Sequence, residues 1–179
     1  REERCRDIGE RYGVRTTTGN RAAAEGATMV VMAIKPQFFD EVAAELKGAV
    51  LDRALVVTIV AGVRMAHAIE VLDATRVARV MPNTPGQIGR GISVWTATDA
   101  VNDEDRQRVR ALLSALGVEE WVRHENELDM APALSGTGPA YVFLFMEALI
   151  AAGVHLGFSR RLASKLVFET VRGSVEYAA

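Results

Sequence analysis

The sequence predicts an α/β protein in which a doubly wound parallel sheet is followed by an all-α segment. Three observations carry this. Two nearly unbroken apolar runs, residues 27–34 (ATMVVMAI) and 55–60 (LVVTIV), and a third strand-like stretch at 76–81 (RVARVM) each stop at a turn containing proline or glycine. Runs of this kind read as strands buried on both faces. Helical patterns fill the intervals, and strand–helix alternation with short connections implies right-handed crossovers between parallel strands. Beyond residue 127 the strand signals cease and long apolar helical stretches take over.

Taken in order, residues 1–12 are rich in charge, with Cys5, Ile8 and Tyr12 at helical spacing and Gly13 as a C-cap. A short extended piece at 14–17, a Gly19-Asn20 turn and a brief alanine-rich helix lead into the first strand. That strand ends at Lys35-Pro36, and helix signals resume over 36–46. The second strand ends at Ala61-Gly62 and precedes a helix through Met65, Ile69 and Leu72. The third is cut off by Pro82-Asn83-Thr84-Pro85. Residues 91–96 read as one more strand, 103–116 as a charged amphipathic helix stopped by Gly117, and 118–122 as the closing strand. The boundary falls near 125–128, giving one domain over 1–126 and a helical domain over 127–179. Segments 149–156 and 162–175 carry more apolar surface than one helical hairpin buries, which calls for a partner subunit.

Composition narrows the function. The 179 residues are 49% hydrophobic and 25% charged, enough for one full domain and part of another. Basic and acidic residues, 21 and 23, are interspersed with a net charge of -2, so no basic stripe draws nucleic acid or an anionic membrane. Cys5 stands alone, which rules out an internal disulfide and suits a reducing cytoplasm. His67, His124 and His155 are isolated, and no metal site is expected. The apolar runs read as too short to span a bilayer, and no signal peptide opens the chain. Small-molecule chemistry remains.

Open α/β sheets bind ligands outside the carboxyl ends of their strands. The turns Ala33-Ile34-Lys35-Pro36-Gln37, Ala61-Gly62-Val63 and Met81-Pro82-Asn83-Thr84-Pro85 should therefore face one crevice. A further stretch, Leu134-Ser135-Gly136-Thr137-Gly138-Pro139-Ala140-Tyr141, precedes an apolar helix over 142–154. Gly136 and Gly138 let backbone approach a ligand closely, and Pro139 suits a first helical turn. Free N–H groups there would favour a carboxylate or phosphate, with Ser135 and Thr137 as hydroxyl donors. The same residues also fit a plain capped helix start, and both readings stand on this stretch alone. Lys35 reads either as a partner for a cofactor phosphate or as a surface lysine, and Asn20 and Asn83 either as ligands or as turn residues. Glu147 reads as an exposed or interface carboxylate, and Tyr141 as a core residue with its hydroxyl bonded.

In this order, the three turns, Arg79 and Val80 before the third, the stretch 134–141, Glu147-Ala148-Leu149, Ala152-Gly153-Val154 and Arg160 to Ala163 resemble the pyrroline-5-carboxylate reductase family, whose reaction completes proline synthesis. The resemblance covers nearly the whole chain. It implies a partial Rossmann-like sheet that holds NADP or NAD, then an all-α dimerisation domain whose helices interleave with those of its mate to share the substrate pocket. The implied reaction is hydride transfer to the C=N carbon of a cyclic imine bearing a carboxylate. Under the resemblance Asn20 meets the adenosine ribose, Ala33, Lys35 and Pro36 the middle of the cofactor, and Ala61 and Gly62 its nicotinamide side. Pro82, Asn83 and Thr84 meet the nicotinamide ribose and amide, and Ser135, Thr137 and Gly138 lie nearest the substrate. Thr137 stands where many relatives have serine. The family also carries a strand, a glycine-rich turn and a second strand upstream, and further helices with a Ser-Pro-Gly-Gly-Thr-type loop downstream. An incomplete portion of a longer reductase is therefore expected. Two rivals are a dehydrogenase of hydroxyacid or prephenate type, which needs a lysine or histidine to move a proton on oxygen, and a non-catalytic dimerising module. Lys165 is the only lysine of the helical segment.

Overall fold

The apolar runs form a five-stranded sheet in a computed structural model that describes residues 2–48 and 54–179. Its strands, β1 (Met29–Met32), β2 (Leu55–Thr58), β3 (Val77–Met81), β4 (Gly91–Ala97) and β5 (Gly117–Trp121), lie side by side in chain order. The helices before and between them are α1 (Glu2–Tyr12), α2 (Asn20–Ala24), α3 (Phe39–Leu46), α4 (Met65–Leu72) and α5 (Asp103–Ser114). Arg1, where the first helix is predicted to begin, lies outside the described residues. The extended piece expected at 14–17 joins no strand ladder.

All four residues of β2 are buried, and they alternate between two cores. Val56 faces Phe39, Ala43 and Leu46 of α3 and Leu72 of α4. Leu55 and Val57 face Ala78, Val80, Trp95 and, from α5, Val109 and Leu113. This two-residue alternation with helices on both sides is what a doubly wound sheet requires. Trp95 is fully buried and meets Trp121 edge to face at 4.6 Å between ring centroids.

The sheet is mixed, which corrects the expectation of parallel strands throughout. β1, β2 and β3 are parallel, β4 runs antiparallel to β3, and β5 is parallel to β4. The cause is the length of the connection. Between Met81 and Gly91 the chain holds a single 3-10 turn, Thr84–Ile88, and a parallel return needs a crossover of roughly a dozen residues or more. The reversal brings the first residues of β4 to the edge where β1, β2 and β3 end.

The helical part comprises α6 (Glu125–Ala131), a π-helical turn (Pro132–Gly136), α7 (Gly138–His155) and α8 (Arg160–Ala178). α7 and α8 form a hairpin whose close approach depends on Gly153, where a Cβ would stand 3.0 Å from the Ala163 Cβ. Ile150 and Ala163 are its buried residues, while Phe143, Leu144, Phe145, Leu166 and Phe168 are exposed. Tyr141, expected in the core, is 59% exposed. The expectation that no apolar run could span a bilayer also changes: the helical stretch Glu125–His155 is long and apolar enough by length and composition alone. Gly136 to Pro139 predict a break in that stretch, whereas the π turn carries the helix through.

Candidate active site

The carboxyl ends of β1, β2 and β3 present small or turn-forming residues. Ala33 and Lys35 are exposed after β1, and Pro36 opens a 3-10 turn, Pro36–Phe38. After β2 the chain turns at Ala61 and Gly62, both exposed, while Val63 is buried and pins the turn. Gly62 has φ +78°, a conformation that L side chains rarely adopt, so the turn offers bare backbone. After β3, Pro82 and Asn83 are half-buried and Thr84 is exposed.

Two clefts open along this edge. One, of about 470 Å³, is lined by Arg4, Thr17, Asn20, Lys35 and Glu45 among others, and the Asn20 amide donates to a Glu45 carboxylate oxygen at 2.9 Å. The other, of about 380 Å³, is walled by Ala61, Gly62, Met81 and Pro82 from the strand ends and by Pro132 and Gly136 from the π turn. The second cleft thus brings two of the predicted strand-end turns against the stretch 134–141.

Asn83 joins the two walls. Its Oδ1 accepts from the Ile92 amide at 2.9 Å, and its Nδ2 donates to the Ser135 carbonyl at 3.1 Å. The first bond depends on Gly91, where a Cβ would lie 2.9 Å from Asn83 Oδ1 and 2.6 Å from the Gly86 nitrogen. Thr137, two residues beyond Ser135, is therefore on the same side of the molecule as Asn83. Thr137 is exposed, and Gly138 is half-buried at the start of α7.

The helix N-terminus expected to be open here is partly closed. The π turn fills part of it, with the Thr137 amide donating to the Pro132 carbonyl at 2.8 Å and the Ala140 amide to the Thr137 carbonyl at 2.9 Å. The Ser135 hydroxyl donates to the Ala131 carbonyl at 3.1 Å. A π turn inserts one extra residue per turn, which re-aims the side chains that follow it.

One set of residues at this cleft carries no role predicted from the sequence. Arg79, in β3, is 2% exposed and pairs with two carboxylates of α6, donating to Glu125 at 2.7 Å and to Asp129 at 2.9 Å. Glu125 also accepts from the Met65 amide at 2.7 Å, and Asp129 from Arg64 at 2.7 Å, at the start of α4. The Arg79 hydrogen bond holds the Asp129 carboxyl below its ordinary value of 3.8; burial opposes it as the next largest effect, and the charges of Arg79 and Arg64 and the Arg64 hydrogen bond add to the lowering. The only signal in the sequence is an arginine inside an apolar strand, which demands a partner without naming it.

Residues 125–179 match the family model for pyrroline-5-carboxylate reductase dimerisation, and residues 1–62 match that for NADP oxidoreductase, coenzyme F420-dependent. The pyrroline-5-carboxylate reductase of Corynebacterium melassecola is 40% identical over 177 residues, covering 97% of this chain and 65% of the relative. Over nearly its whole length the chain is similar to pyrroline-5-carboxylate reductases. Solved reductases agree in fold. The Plasmodium falciparum pyrroline carboxylate reductase, with NADP bound, superposes with a TM-score of 0.85 at 34% identity, over 91% of this chain and 62% of that one. The pyrroline-5-carboxylate reductase of Coxiella burnetii gives 0.89 at 35% identity, over 96% and 65%. The chain spans less than two thirds of the length of these relatives.

Proposed function

We propose that this chain serves as an NAD(P)H-dependent reductase of 1-pyrroline-5-carboxylate, producing L-proline in the cytoplasm. The observation that carries the reading is the Asn83–Ser135 hydrogen bond, which sets the dinucleotide-side turns and the hydroxyl-bearing stretch on two walls of one cleft.

The residues present fit a dinucleotide. Ala61 and Gly62 offer a flat backbone floor, and a side chain added at Gly62 would meet no other atom within 4 Å, so that position opens to the cleft. Asn20, Ala33, Lys35 and Pro36 are assigned to the cofactor's adenosine half and middle, and Ala61, Gly62, Pro82, Asn83 and Thr84 to its nicotinamide end. When bound, the reduced nicotinamide supplies the hydride. The chain's own residues orient, bind and exclude water, which for an already protonated imine is most of what catalysis needs. Lys35 offers a charge for phosphate. Asn83 acts as a wall, since both ends of its amide are held by protein. The Ser135 proton is given to Ala131, so the exposed Thr137 hydroxyl is the donor for the substrate carboxylate, beside the backbone of Gly138.

The dinucleotide domain is assigned to 1–126 and the helical domain to 127–179. A second copy of the chain covers the exposed apolar face of α7 and α8, a homodimer or higher homo-oligomer in keeping with the dimerisation match. Lys165, which the hydroxyacid reading would use, lies exposed on α8 and lines neither cleft. The test is oxidation of NADPH or NADH by the full-length protein with pyrroline-5-carboxylate, beside hydroxyacid and prephenate controls. Thr137→Ala is expected to raise KM for the imine more than Ser135→Ala; an unchanged KM in both removes their assigned role.

A further inference from the structure

Arg79 is a costly residue in its place. It is buried in β3 between Ala78 and Val80, and its Nε finds no hydrogen-bond partner among the described residues. A buried ion pair of this kind gives little net stability, and well-packed apolar residues often do as well. What an apolar residue cannot do is fix register. Glu125 and Asp129 are four residues apart, so they project from one face of α6, and gripping both sets the position of α6 and its rotation about its own axis. The same two carboxylates hold the Met65 amide and Arg64, just after the Ala61-Gly62 turn. Beyond Asp129, α6 leads directly into the π turn that carries Ser135.

We propose that Arg79 is a positioning residue: through Glu125 and Asp129 it fixes the separation between the Ala61-Gly62 wall and the Pro132-Gly136 wall of the cleft. The proposal rests on the reductase reading for its kinetic consequence, and its structural consequence is independent of that reading. Loss of the grip lets α6 and the π turn shift against the strand ends, which misaligns the two reactants in the cleft that Arg79 and Asp129 also line. Misplacement by about an ångström is worth on the order of a hundredfold in rate.

The test uses full-length protein with Arg79→Met, Arg79→Lys and Asp129→Asn, read by steady-state kinetics with pyrroline-5-carboxylate, by cofactor Kd from fluorescence, and by hydrogen exchange. In Arg79→Met, kcat at saturating substrates is expected to fall by about tenfold or more, with cofactor Kd within about threefold of wild type. Amides of residues 133–138 and 140 exchange about tenfold faster or more. Arg79→Lys, a point charge without the planar fork, falls between wild type and Arg79→Met. Asp129→Asn keeps the buried arginine on Glu125 and shows the same changes in smaller degree; it decides the matter if Arg79→Met does not fold. Unchanged exchange of those amides in the folded variants overturns the proposal, as does an unchanged kcat. If wild-type protein does not reduce pyrroline-5-carboxylate, the functional reading fails, and the exchange data alone decide whether Arg79 holds the cleft.

Discussion

Replacing Asn83 with alanine removes two hydrogen bonds that tie the end of β3 to two different parts of the chain. The Ile92 amide and the Ser135 carbonyl, both on half-buried residues, lose their partner at 2.9 and 3.1 Å. A neutral hydrogen bond contributes about 1 kcal/mol net, and a buried group left unpaired costs about 1–3 kcal/mol. Partial exposure lets water reach these groups, so a total of about 2–3 kcal/mol is expected. For a chain of this size that lowers Tm by about 4–12 °C. Asn83→Asp separates the two bonds. It keeps an acceptor for Ile92 but turns a carboxylate oxygen toward the Ser135 carbonyl, so it should be the more stable variant yet raise KM for the imine at least as much as Asn83→Ala. Thermal unfolding and steady-state kinetics on both variants check this. A Tm for Asn83→Ala within about 1 °C of wild type, with unaltered kinetics, refutes the idea that this side chain joins the walls.

Other outcomes follow from the same geometry. Gly91→Ala places a Cβ against the Gly86 backbone and the Asn83 oxygen, and should lower Tm and reproduce the kinetic defect of Asn83→Ala, measured in the same two assays. Phe145→Glu puts a charge on the exposed apolar face of α7 and should shift the solution mass toward a single subunit in sedimentation experiments. Leu128→Ala, at a fully buried position of α6, should cost about 2–5 kcal/mol in denaturant unfolding. Because Asp129 has a lowered folded pKa, its contribution to stability is complete above the unfolded carboxylate value and is lost as pH falls through the lower folded value. Acid titration of stability below about pH 4 should therefore be shallower in Asp129→Asn than in wild type.

Much of the fold was legible because buried strands must be written in apolar residues and must stop where the chain turns, although β1, with Val31 exposed, is not buried on both faces as its apolar run predicts. The ends at Lys35-Pro36, Ala61-Gly62 and Pro82-Asn83 were visible for that reason, and with them the site-bearing edge. The direction of β4 was not read, although the short span from Met81 to Gly91 already forbids a crossover. The π turn lay beyond reach, since Gly136, Gly138 and Pro139 look locally like a break and only the Asn83–Ser135 bond and the internal amide pairs show how the helix passes through them. The partners of Arg79 were equally hidden, being 46 and 50 residues away in the chain. Tyr141 misled because apolarity along α7 marks burial without saying whether the cover comes from the same chain.

The passage of α6 through the π turn into α7 has a mechanical consequence. α7 has 18 residues, so at 1.5 Å per residue it is an arm about 27 Å long. A tilt of about 5° at its root carries its far end through about 2 Å, well beyond what close-packed side chains absorb without repacking. On the proposed reading, the face that meets a second subunit and the wall that meets the substrate therefore ride on one rigid member, and neither is retuned by mutation without disturbing the other.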